Sequence, residues 1–250
     1  MTDLFAAFAG LHCPGDPLIL FNAWDAGSAQ AVARAGAQAI ATGSWSVAAA
    51  HGAPDGEGLP LGLALANARR MVTAVDLPVT IDFEGGYAVD PGLLADHFAA
   101  LAETGAVGAN FEDGMIDGAG LHPLDQSARR VATARGAVPA GFFLNARTDL
   151  FLQAAAPSHD RHLADAAIER GLAYADAGAS GLFVPGLIDL KLVERIARAV
   201  PLPLNVMAFP GAPSARAFGE AGVARISHGP NPWRLAMKEL EDAARAALKK

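Results

Sequence analysis

The sequence predicts a single (β/α)8 barrel that spans residues 1–250. Eight short apolar runs, each long enough for one strand, alternate with Ala-, Leu- and Arg-rich stretches of helical spacing. This alternation indicates βαβ units with parallel strands, and 250 residues is the usual size of a barrel built from eight of them. An open doubly wound sheet is the alternative. No G-x-G-x-x-G motif follows the first run, so a dinucleotide-binding form of that fold has little support.

The predicted strands are apolar and are bounded by Gly, Pro, Asp or Asn, the residues that commonly form turns. They cover residues 18–24, 37–44, 78–85, 106–113, 142–149, 179–186, 203–209 and 223–229. Between them, segments such as 63–76 and 162–178 have the spacing of helices. Several helical segments end in a similar stop, ARAGA, AETGA, ADAGA or GEAGV, in which Gly can supply the left-handed residue that follows a helix.

The overall composition argues against several classes of protein. The net charge of −7 disfavours binding to nucleic acid or to an anionic membrane. The only cysteine is Cys13, so there is no disulfide framework and no zinc-type cluster of ligands. The N-terminal segment lacks a basic region followed by a long apolar core, and this predicts neither a signal peptide nor a transmembrane span. We therefore expect a cytoplasmic enzyme or binding protein.

Two acidic residues stand in the third predicted strand, in the stretch VTIDFEGGY. Because side chains alternate along a strand, Asp82 and Glu84 should share the face that points into the barrel mouth. Glu112 in strand four and Asp55 in the loop after strand two can reach the same space. Such carboxylates repel unless their pKa values rise or a cation lies among them. An all-oxygen set favours Mg²⁺, with Mn²⁺ as an alternative ion, but pairing with Arg147 alone is an equal explanation.

Other polar residues share the predicted inner face near the strand ends, where the chemistry of a barrel lies. They are Thr42 and Ser44 in strand two, Asn110 in strand four, Asn145, Arg147 and Asp149 in strand five, and Asn205 in strand seven. Trp45 follows the strand-two turn and is a candidate to cover a ligand, the alternative being that it only fills the rim. His122, in the loop after strand four, is a candidate proton donor, although an exposed loop histidine is more often simply solvated.

Taken together, the motifs resemble those of the isocitrate lyase/phosphoenolpyruvate mutase superfamily. The matching stretches are GAPDGEG after strand two, TIDFEGGY at strand three, NFED at strand four, NARTD at strand five, VPG at strand six and LNV at strand seven. Each motif alone is weak, but the set is specific. The resemblance extends from about residue 18 to the end of the chain.

The resemblance implies a magnesium site and assigns its residues by position. In that superfamily the first acid of the strand-three motif binds Mg²⁺ directly, and this acid corresponds to Asp82. The second acid, the strand-four Glu and the Asp of the strand-two loop hold water molecules of the ion. These correspond to Glu84, Glu112 and Asp55.

The resemblance also implies how a substrate is bound. The strand-five Arg binds the oxygens of the substrate and corresponds to the catalytic candidate Arg147. The turn after strand two offers N–H groups and hydroxyls to a carboxylate, and the strand-seven Asn faces the substrate. These positions are Thr42, Gly43, Ser44 and Trp45 in the turn, and Asn205 in strand seven. Members of the superfamily use Mg²⁺ to chelate a 2-oxo acid or its enolate while a C–C or P–C bond breaks or forms.

The loop after strand four departs from the pattern of the superfamily. The lyases carry a catalytic Cys there, in a Lys-x-Cys-Gly-His type motif, and the mutase and phosphonate-hydrolase branches use a Lys and polar residues. Here the loop reads GMIDGAGLHPLDQ, with neither Cys nor Lys, and Cys13 lies before strand one. The chain therefore resembles a branch that lacks the lyase cysteine, and the resemblance does not identify its general acid.

These features predict a Mg²⁺-dependent lyase or decarboxylase that acts through an enolate on a small 2-oxo or 2-hydroxy dicarboxylate, such as oxaloacetate or 2-oxoglutarate. Phosphonate P–C bond chemistry is the first alternative, and a non-catalytic 2-oxo acid binder is another. The resemblance implies a homodimer or homotetramer, in some members with the last helix exchanged between subunits. Residues 230–250 are amphipathic enough for that helix, but they could equally pack on their own barrel.

Overall fold

The eight predicted strands are present and form one parallel sheet. A computed structural model describes residues 3–116 and 120–249 of the chain. The strands are β1 (Leu18–Leu20), β2 (Ile40–Ala41), β3 (Val79–Asp82), β4 (Gly108–Glu112), β5 (Phe143–Arg147), β6 (Gly181–Phe183), β7 (Leu204–Met207) and β8 (Val223–Ser227). Each strand lies within its predicted run and is shorter than that run.

The sheet closes into a barrel. The strand order is β1-β8-β7-β6-β5-β4-β3-β2, and neighbouring strands pair in parallel. The ring is completed between β1 and β2, where Ala23 and Thr42 form a parallel bridge and the Ala23 N–H donates to the Ala41 carbonyl over 2.8 Å. The predicted (β/α)8 barrel is therefore confirmed, and the doubly wound alternative is wrong.

Helices connect the strands. They are α1 (Leu4–Gly10), α2 (Ala26–Arg34), α3 (Ser44–Ala50), α4 (Leu61–Ala74), α5 (Pro91–Ala102), α6 (Leu124–Ala137), α7 (Leu150–Gln153), α8 (Arg161–Asp176), α9 (Leu190–Ala199), α10 (Ala215–Glu220) and α11 (Asn231–Leu248). Of these, α2, α5, α8 and α10 end at the predicted glycine stops. The glycines of the four predicted stops, Gly36, Gly105, Gly178 and Gly222, all have positive φ angles, which confirms their left-handed role. None of the described helices is long and apolar enough to cross a membrane.

The amino ends of the strands are closed by α1, which leaves the opposite end for a site. Phe8 is fully buried and packs with Leu18, Leu20 and Phe143, whose ring centroid lies 5.5 Å from that of Phe8. A larger apolar cluster fills the layer between the strands and the surrounding helices. The barrel is thus plugged at its floor, as a packed interior requires.

The last helix leaves an apolar surface uncovered. Residues 238–249 of α11 and the cap that follows it are all exposed, and Leu240 is 62% exposed. On the outside of the barrel, Ile19 in β1 and the nearby Phe21 are 41% and 42% exposed. Helices normally cover the outer face of each barrel strand. In the described part of this chain, Ile19 and Phe21 are covered only in part.

Candidate active site

A cavity of ≈ 160 Å³ opens among residues at and beyond the carboxyl ends of the strands. Its wall has a polar half and an apolar half, and Trp45 lies at its rim. The polar half contains the charged residues Asp55, Asp82 and Arg147 together with Ser44 and Asn110, and the uncharged polar residues Asn22 and Ser227 also line the cavity. The apolar half contains Leu152, Phe183, Pro185, Met207 and Pro230. A partly enclosed cavity with a few charged groups among apolar ones is typical of a small-molecule site.

Asp82 ends β3 and is held on one side by the start of α3 and on the other by β4. Its Oδ2 accepts the Ser44 N–H over 2.9 Å, and its Oδ1 accepts the Asn110 amide over 3.2 Å. Its backbone N–H donates to the Thr42 hydroxyl over 2.7 Å. Each carboxylate oxygen is therefore oriented and still has lone pairs for another ligand. The Thr42 hydroxyl and the Ser44 N–H, expected to face a substrate carboxylate, bind Asp82 in this structure.

The negative charge of Asp82 helps to raise the pKa values of the other three acids predicted for the metal site. Burial raises the pKa of Asp55, and repulsion from Asp82 adds to that rise. Burial raises the pKa of Glu84 to about 7, again with a contribution from Asp82. Burial also raises the pKa of Glu112, and the charge of Arg147 opposes this rise. The four carboxyl groups therefore lie close enough to interact, and of the four, Asp55 and Asp82 line the cavity.

Glu84 does not continue the inner face of β3 as strand parity predicts. The strand ends at Asp82, and Glu84 has a left-handed backbone with a φ of 51°, so the alternation of a strand no longer applies. Its Oε1 accepts the Glu57 N–H over 2.8 Å, and its Oε2 accepts the Tyr87 hydroxyl over 2.9 Å. Glu57 was not among the predicted site residues, because its only signal in the sequence is a charged residue between the two glycines of DGEG.

Arg147 at the end of β5 is held by two carboxylates. Its Nη1 lies 2.6 Å from Glu112 Oε2, and its Nε donates to Asp149 Oδ1 over 2.6 Å. Burial acts to lower the pKa of Arg147, but Glu112 and Asp149 together raise it above its ordinary value. The sequence left open whether Arg147 neutralises the strand-end acids. It pairs with Glu112, and the described hydrogen-bond partners of the Asp82 carboxylate are Ser44 and Asn110.

Asn205 lies in the barrel interior, outside the lining of the cavity. It is 1% exposed, its Oδ1 accepts the Asn145 amide over 3.0 Å, and its amide donates to the Arg225 carbonyl over 3.1 Å. Asn145 also donates to Asn110 Oδ1 over 2.9 Å. Strand parity predicts the inward face of β7 but not the depth of the residue. Asn205 was expected to face the substrate. Instead it accepts a hydrogen bond from the Asn145 amide, which in turn holds Asn110.

Gly43, Ser44 and Trp45 line the cavity, and Trp45 is fixed at its rim. The ring of Trp45 packs edge-on against Trp233 with centroids 5.3 Å apart. The Arg234 guanidinium lies 4.8 Å from the centre of the Trp45 ring. Trp45 therefore connects the cavity to the first turn of α11, and both of its predicted roles remain compatible with this position.

Comparison with known proteins now gives the family. Residues 8–248 match the family described as phosphoenolpyruvate phosphomutase. The chain belongs to the isocitrate lyase/phosphoenolpyruvate mutase superfamily. It is 30% identical over 224 residues to 2-methylisocitrate lyase of Escherichia coli (strain K12), an alignment that covers 81% of this chain and 73% of that protein.

Two solved structures resemble this chain over nearly its whole length. A protein of Burkholderia cenocepacia J2315, provisionally assigned as a phosphonomutase, is 48% identical, with a TM-score of 0.94 over 98% of this chain and 100% of that chain. A phosphonopyruvate hydrolase, solved with oxalate and Mg²⁺, has a TM-score of 0.85 at 20% identity, over 98% of this chain and 87% of that chain. The second likeness establishes the shared fold.

In this member of the superfamily, the loop after β4 is anchored near its ends. His122 is only 7% exposed, so it is not the solvated residue that the sequence suggested as an alternative. Its N–H donates to the Asp113 carbonyl over 2.9 Å, and its carbonyl accepts the Arg170 guanidinium over 3.0 Å. His122 does not line the cavity. Residues 117–119 of this loop, including Gly118, lie outside the described residues.

Proposed function

We propose that the protein is a Mg²⁺-dependent carbon–carbon lyase or decarboxylase that acts on a small 2-oxo or 2-hydroxy carboxylate. One observation carries this proposal. The Asp82 carboxylate is oriented by Ser44 and Asn110 inside a cavity that also contains the Arg147 guanidinium. A relative, phosphonopyruvate hydrolase, has been solved with both oxalate and Mg²⁺. Mg²⁺ is the kind of ligand that the oriented Asp82 carboxylate could bind, and oxalate is the kind of anion that the nearby Arg147 guanidinium could bind.

The donor set at the site fits Mg²⁺. In residues 3–116 and 120–249, no three His, Cys, Asp or Glu side chains are grouped so as to hold one metal ion directly. Mg²⁺ suits such a site because it keeps several waters and takes one or two carboxylates. Asp82 would bind the ion directly, and the three other acids would hold its waters. Repulsion from Asp82 contributes to the raised pKa values of Asp55 and Glu84, and a divalent cation would remove it.

The residues of the chain would bind and orient the substrate. Arg147 would contact its oxygens, and Glu112 and Asp149 keep the guanidinium in one orientation, so little reorganisation is needed. The apolar half, with Phe183 and Met207, would exclude water from the reacting bond. When bound, Mg²⁺ supplies positive charge that stabilises negative charge developing on a substrate oxygen.

The missing loop cysteine limits which carbon–carbon bonds the protein would cleave efficiently. We expect isocitrate and 2-methylisocitrate to be poor substrates, because losing a positioned proton donor typically costs about 10²–10⁴ in rate. Steady-state assays of glyoxylate or pyruvate release would measure this. Turnover of about 10 s⁻¹ or more, typical of an efficient enzyme, would mean that another residue replaces the cysteine. His122→Gln tests whether His122 serves in a rearranged loop, since it should then lower turnover and leave substrate affinity unchanged.

A phosphonate P–C mutase or hydrolase is the second candidate function. The observation that favours it is the 48% identity to the provisionally assigned phosphonomutase. The loop after β4 argues against it, because it lacks the lysine that those branches use there. Release of phosphate from phosphonopyruvate would separate this candidate from the carbon–carbon lyase.

A substrate panel tests the proposal directly. Oxaloacetate, 2-oxoglutarate, 2-hydroxy dicarboxylates and phosphonopyruvate would each be added with Mg²⁺ or with a chelator. We would follow thermal stabilisation first and product formation second. The proposal predicts Mg²⁺-dependent stabilisation and carbon–carbon cleavage of at least one 2-oxo or 2-hydroxy acid. Binding without turnover of any compound would indicate a 2-oxo acid binder, and absence of Mg²⁺-dependent binding would overturn the proposal.

A further inference from the structure

Glu57 does not line the cavity, yet it joins the two loops that carry the acids of the site. The Glu57 N–H donates to Glu84 Oε1 over 2.8 Å, and Glu57 Oε1 accepts the Tyr87 N–H over 2.7 Å. The Tyr87 hydroxyl donates to Glu84 Oε2 over 2.9 Å and completes a closed set of contacts. We call Glu57, Glu84 and Tyr87 the Glu57 clasp. It connects the loop after β2 to the loop after β3.

The backbone of the clasp is strained at all three of its residues. Glu57, Glu84 and Tyr87 have φ angles of 61°, 51° and 59°. Over the described ranges 3–116 and 120–249, they are the non-glycine residues with positive φ. Residues with a side chain avoid this conformation, and it persists only where surrounding contacts enforce it. The clustering of this strain beside the site acids points to a functional role for the clasp.

The loop that carries Asp55 is tightly folded and depends on a fixed base. A Cβ at Gly58 would lie 2.4 Å from the Pro54 carbonyl oxygen, so the chain turns back on itself and requires glycine there. Asp55 lies at the tip of this turn, and Glu57 lies between the tip and the base. Asp55 and Asp82 repel each other, which acts to push the tip away from β3. The clasp ties Glu57 to the β3 side, where the Gly85 backbone N–H also interacts with the Glu57 carboxylate.

We propose that Glu57 is a positioning residue that holds Asp55 and Glu84 beside Asp82 before the cation binds. This inference rests on the magnesium site of the proposed function and adds the residue that preforms it. The side chain of Glu57 contributes the bond to the Tyr87 N–H, and its backbone contributes the bond to Glu84. Glu57 would not contact the metal but would hold residues that do or that bind its waters, and removing such a supporting residue typically costs about 10–100-fold in metal affinity.

Two substitutions at one position separate positioning from charge. Glu57→Gly removes the acceptor for the Tyr87 N–H and also relieves the left-handed strain, so the fold should persist. Glu57→Gln removes the same negative charge but keeps an Oε1 acceptor of the same reach. Mg²⁺ affinity of each metal-free protein would be measured by titration calorimetry. Hydrogen exchange at the Tyr87 amide, without Mg²⁺, would report whether the clasp is intact.

We expect Glu57→Gly to bind Mg²⁺ about 10–100-fold more weakly than wild type, with faster exchange at Tyr87. Glu57→Gln should restore affinity to within about threefold of wild type, because most of the effect comes from the lost acceptor. Equal Mg²⁺ affinity in wild type and Glu57→Gly, despite faster exchange at Tyr87, would overturn the inference and leave the proposed function intact. Equal weakening by both variants would also overturn it, because charge alone would then explain the effect.

A further outcome would concern the metal site itself. Absence of Mg²⁺ binding by the wild-type protein would overturn both the proposed function and this inference. If Glu57→Gly does not fold, Glu57→Asn is interpreted in the same way. Asparagine tolerates the left-handed backbone, and its side chain is one carbon too short to reach the Tyr87 N–H as Glu57 does.

Discussion

The polar and apolar halves of the cavity are built in different ways. In the polar half, hydrogen bonds and ion pairs hold the charged groups, as between Asp82 and Ser44 and between Arg147 and Glu112. The apolar half is held by packing, and Phe183 is 4% exposed in the barrel wall. The charged groups of the cavity come from β3, β5 and the loop after β2, whereas most of the apolar wall comes from β6, β7 and the segments that follow β5, β6 and β8. Substitutions in the two halves should therefore affect different measurements.

The largest effect should follow removal of the Arg147 guanidinium from the polar half of the cavity. Arg147→Ala leaves Glu112 and Asp149 buried without their partner, and breaking such a buried pair typically costs about 3–5 kcal/mol in the free energy of unfolding. Affinity for a 2-oxo acid should fall by roughly 10–150-fold, since a charge-assisted hydrogen bond contributes about 1.5–3 kcal/mol. Urea unfolding and calorimetry measure the two quantities.

A matched control for Arg147→Ala is Arg195→Ala, whose partner is the half-exposed Asp165. Its loss should cost less than about 1 kcal/mol, as expected for a surface pair. Similar losses in the two variants, or unchanged 2-oxo acid affinity in Arg147→Ala, would mean that Arg147 is not the cation of the site.

The next effect concerns pH and Glu84. Its pKa is raised from 4.5 to about 7 in the folded protein, so between these values the folded state holds a proton that the unfolded state has released. The metal-free protein should therefore lose stability as pH rises through this window, by on the order of 2 kcal/mol from this residue. Saturating Mg²⁺ should reduce the loss, because it favours the ionised carboxylate. Urea unfolding from pH 4.5 to 7.5, with Glu84→Gln as control, measures the contribution. An identical pH profile for both proteins would contradict it.

A smaller effect is expected in the apolar half. Met207→Ala should leave Mg²⁺ affinity within about twofold of wild type. It should weaken 2-oxo acid binding about fivefold, the equivalent of ~1 kcal/mol of lost apolar contact. Calorimetry with both ligands tests the separation of the two halves. Met71→Ala, in the buried core, is the control and should lower stability without changing substrate affinity. A large loss of Mg²⁺ affinity in Met207→Ala would break the proposed division.

Substitutions on the exposed apolar surface outside the cavity should have the smallest effect on the site. We expect a homodimer or homotetramer, because Ile19 and Phe21 of the barrel and Leu240 of α11 are exposed together with much of α11. Size-exclusion chromatography with light scattering should show an oligomer. Leu240→Asp should shift it toward monomer, and the exposed control Glu239→Gln should not. A monomeric wild-type protein would contradict this expectation.

The fold could be predicted because it depends on periodic and local signals. Strand-like runs recur at regular intervals, and glycine marks the stops at Gly36, Gly105, Gly178 and Gly222. Such signals act over a few residues and need no tertiary information. The strand ends were predicted less well, because a run of apolar residues does not show where pairing stops. β2 is only Ile40–Ala41 within the predicted 37–44.

The site could be predicted only as far as strand parity holds. Asp82 and Arg147 end regular strands, and both line the cavity as parity predicts. Glu84 lies beyond the end of β3 in a left-handed turn, which parity cannot describe. Asn205 faces inward as parity predicts, but it lies below the cavity and does not line it. Parity cannot predict this depth, because depth depends on the register between strands. Glu57 escaped notice since its role depends on hydrogen bonds between two loops that are distant in sequence.

The most direct test of the central claim is a calorimetric titration of metal-free protein with Mg²⁺. Wild type and Phe83→Leu should bind with affinities within about twofold of each other, because Phe83 packs outward against Phe98. Asp82→Ala, which removes the only predicted direct ligand, should show no measurable binding. Equal Mg²⁺ affinity in wild type and Asp82→Ala would contradict the assignment of the cation to the polar half of the cavity.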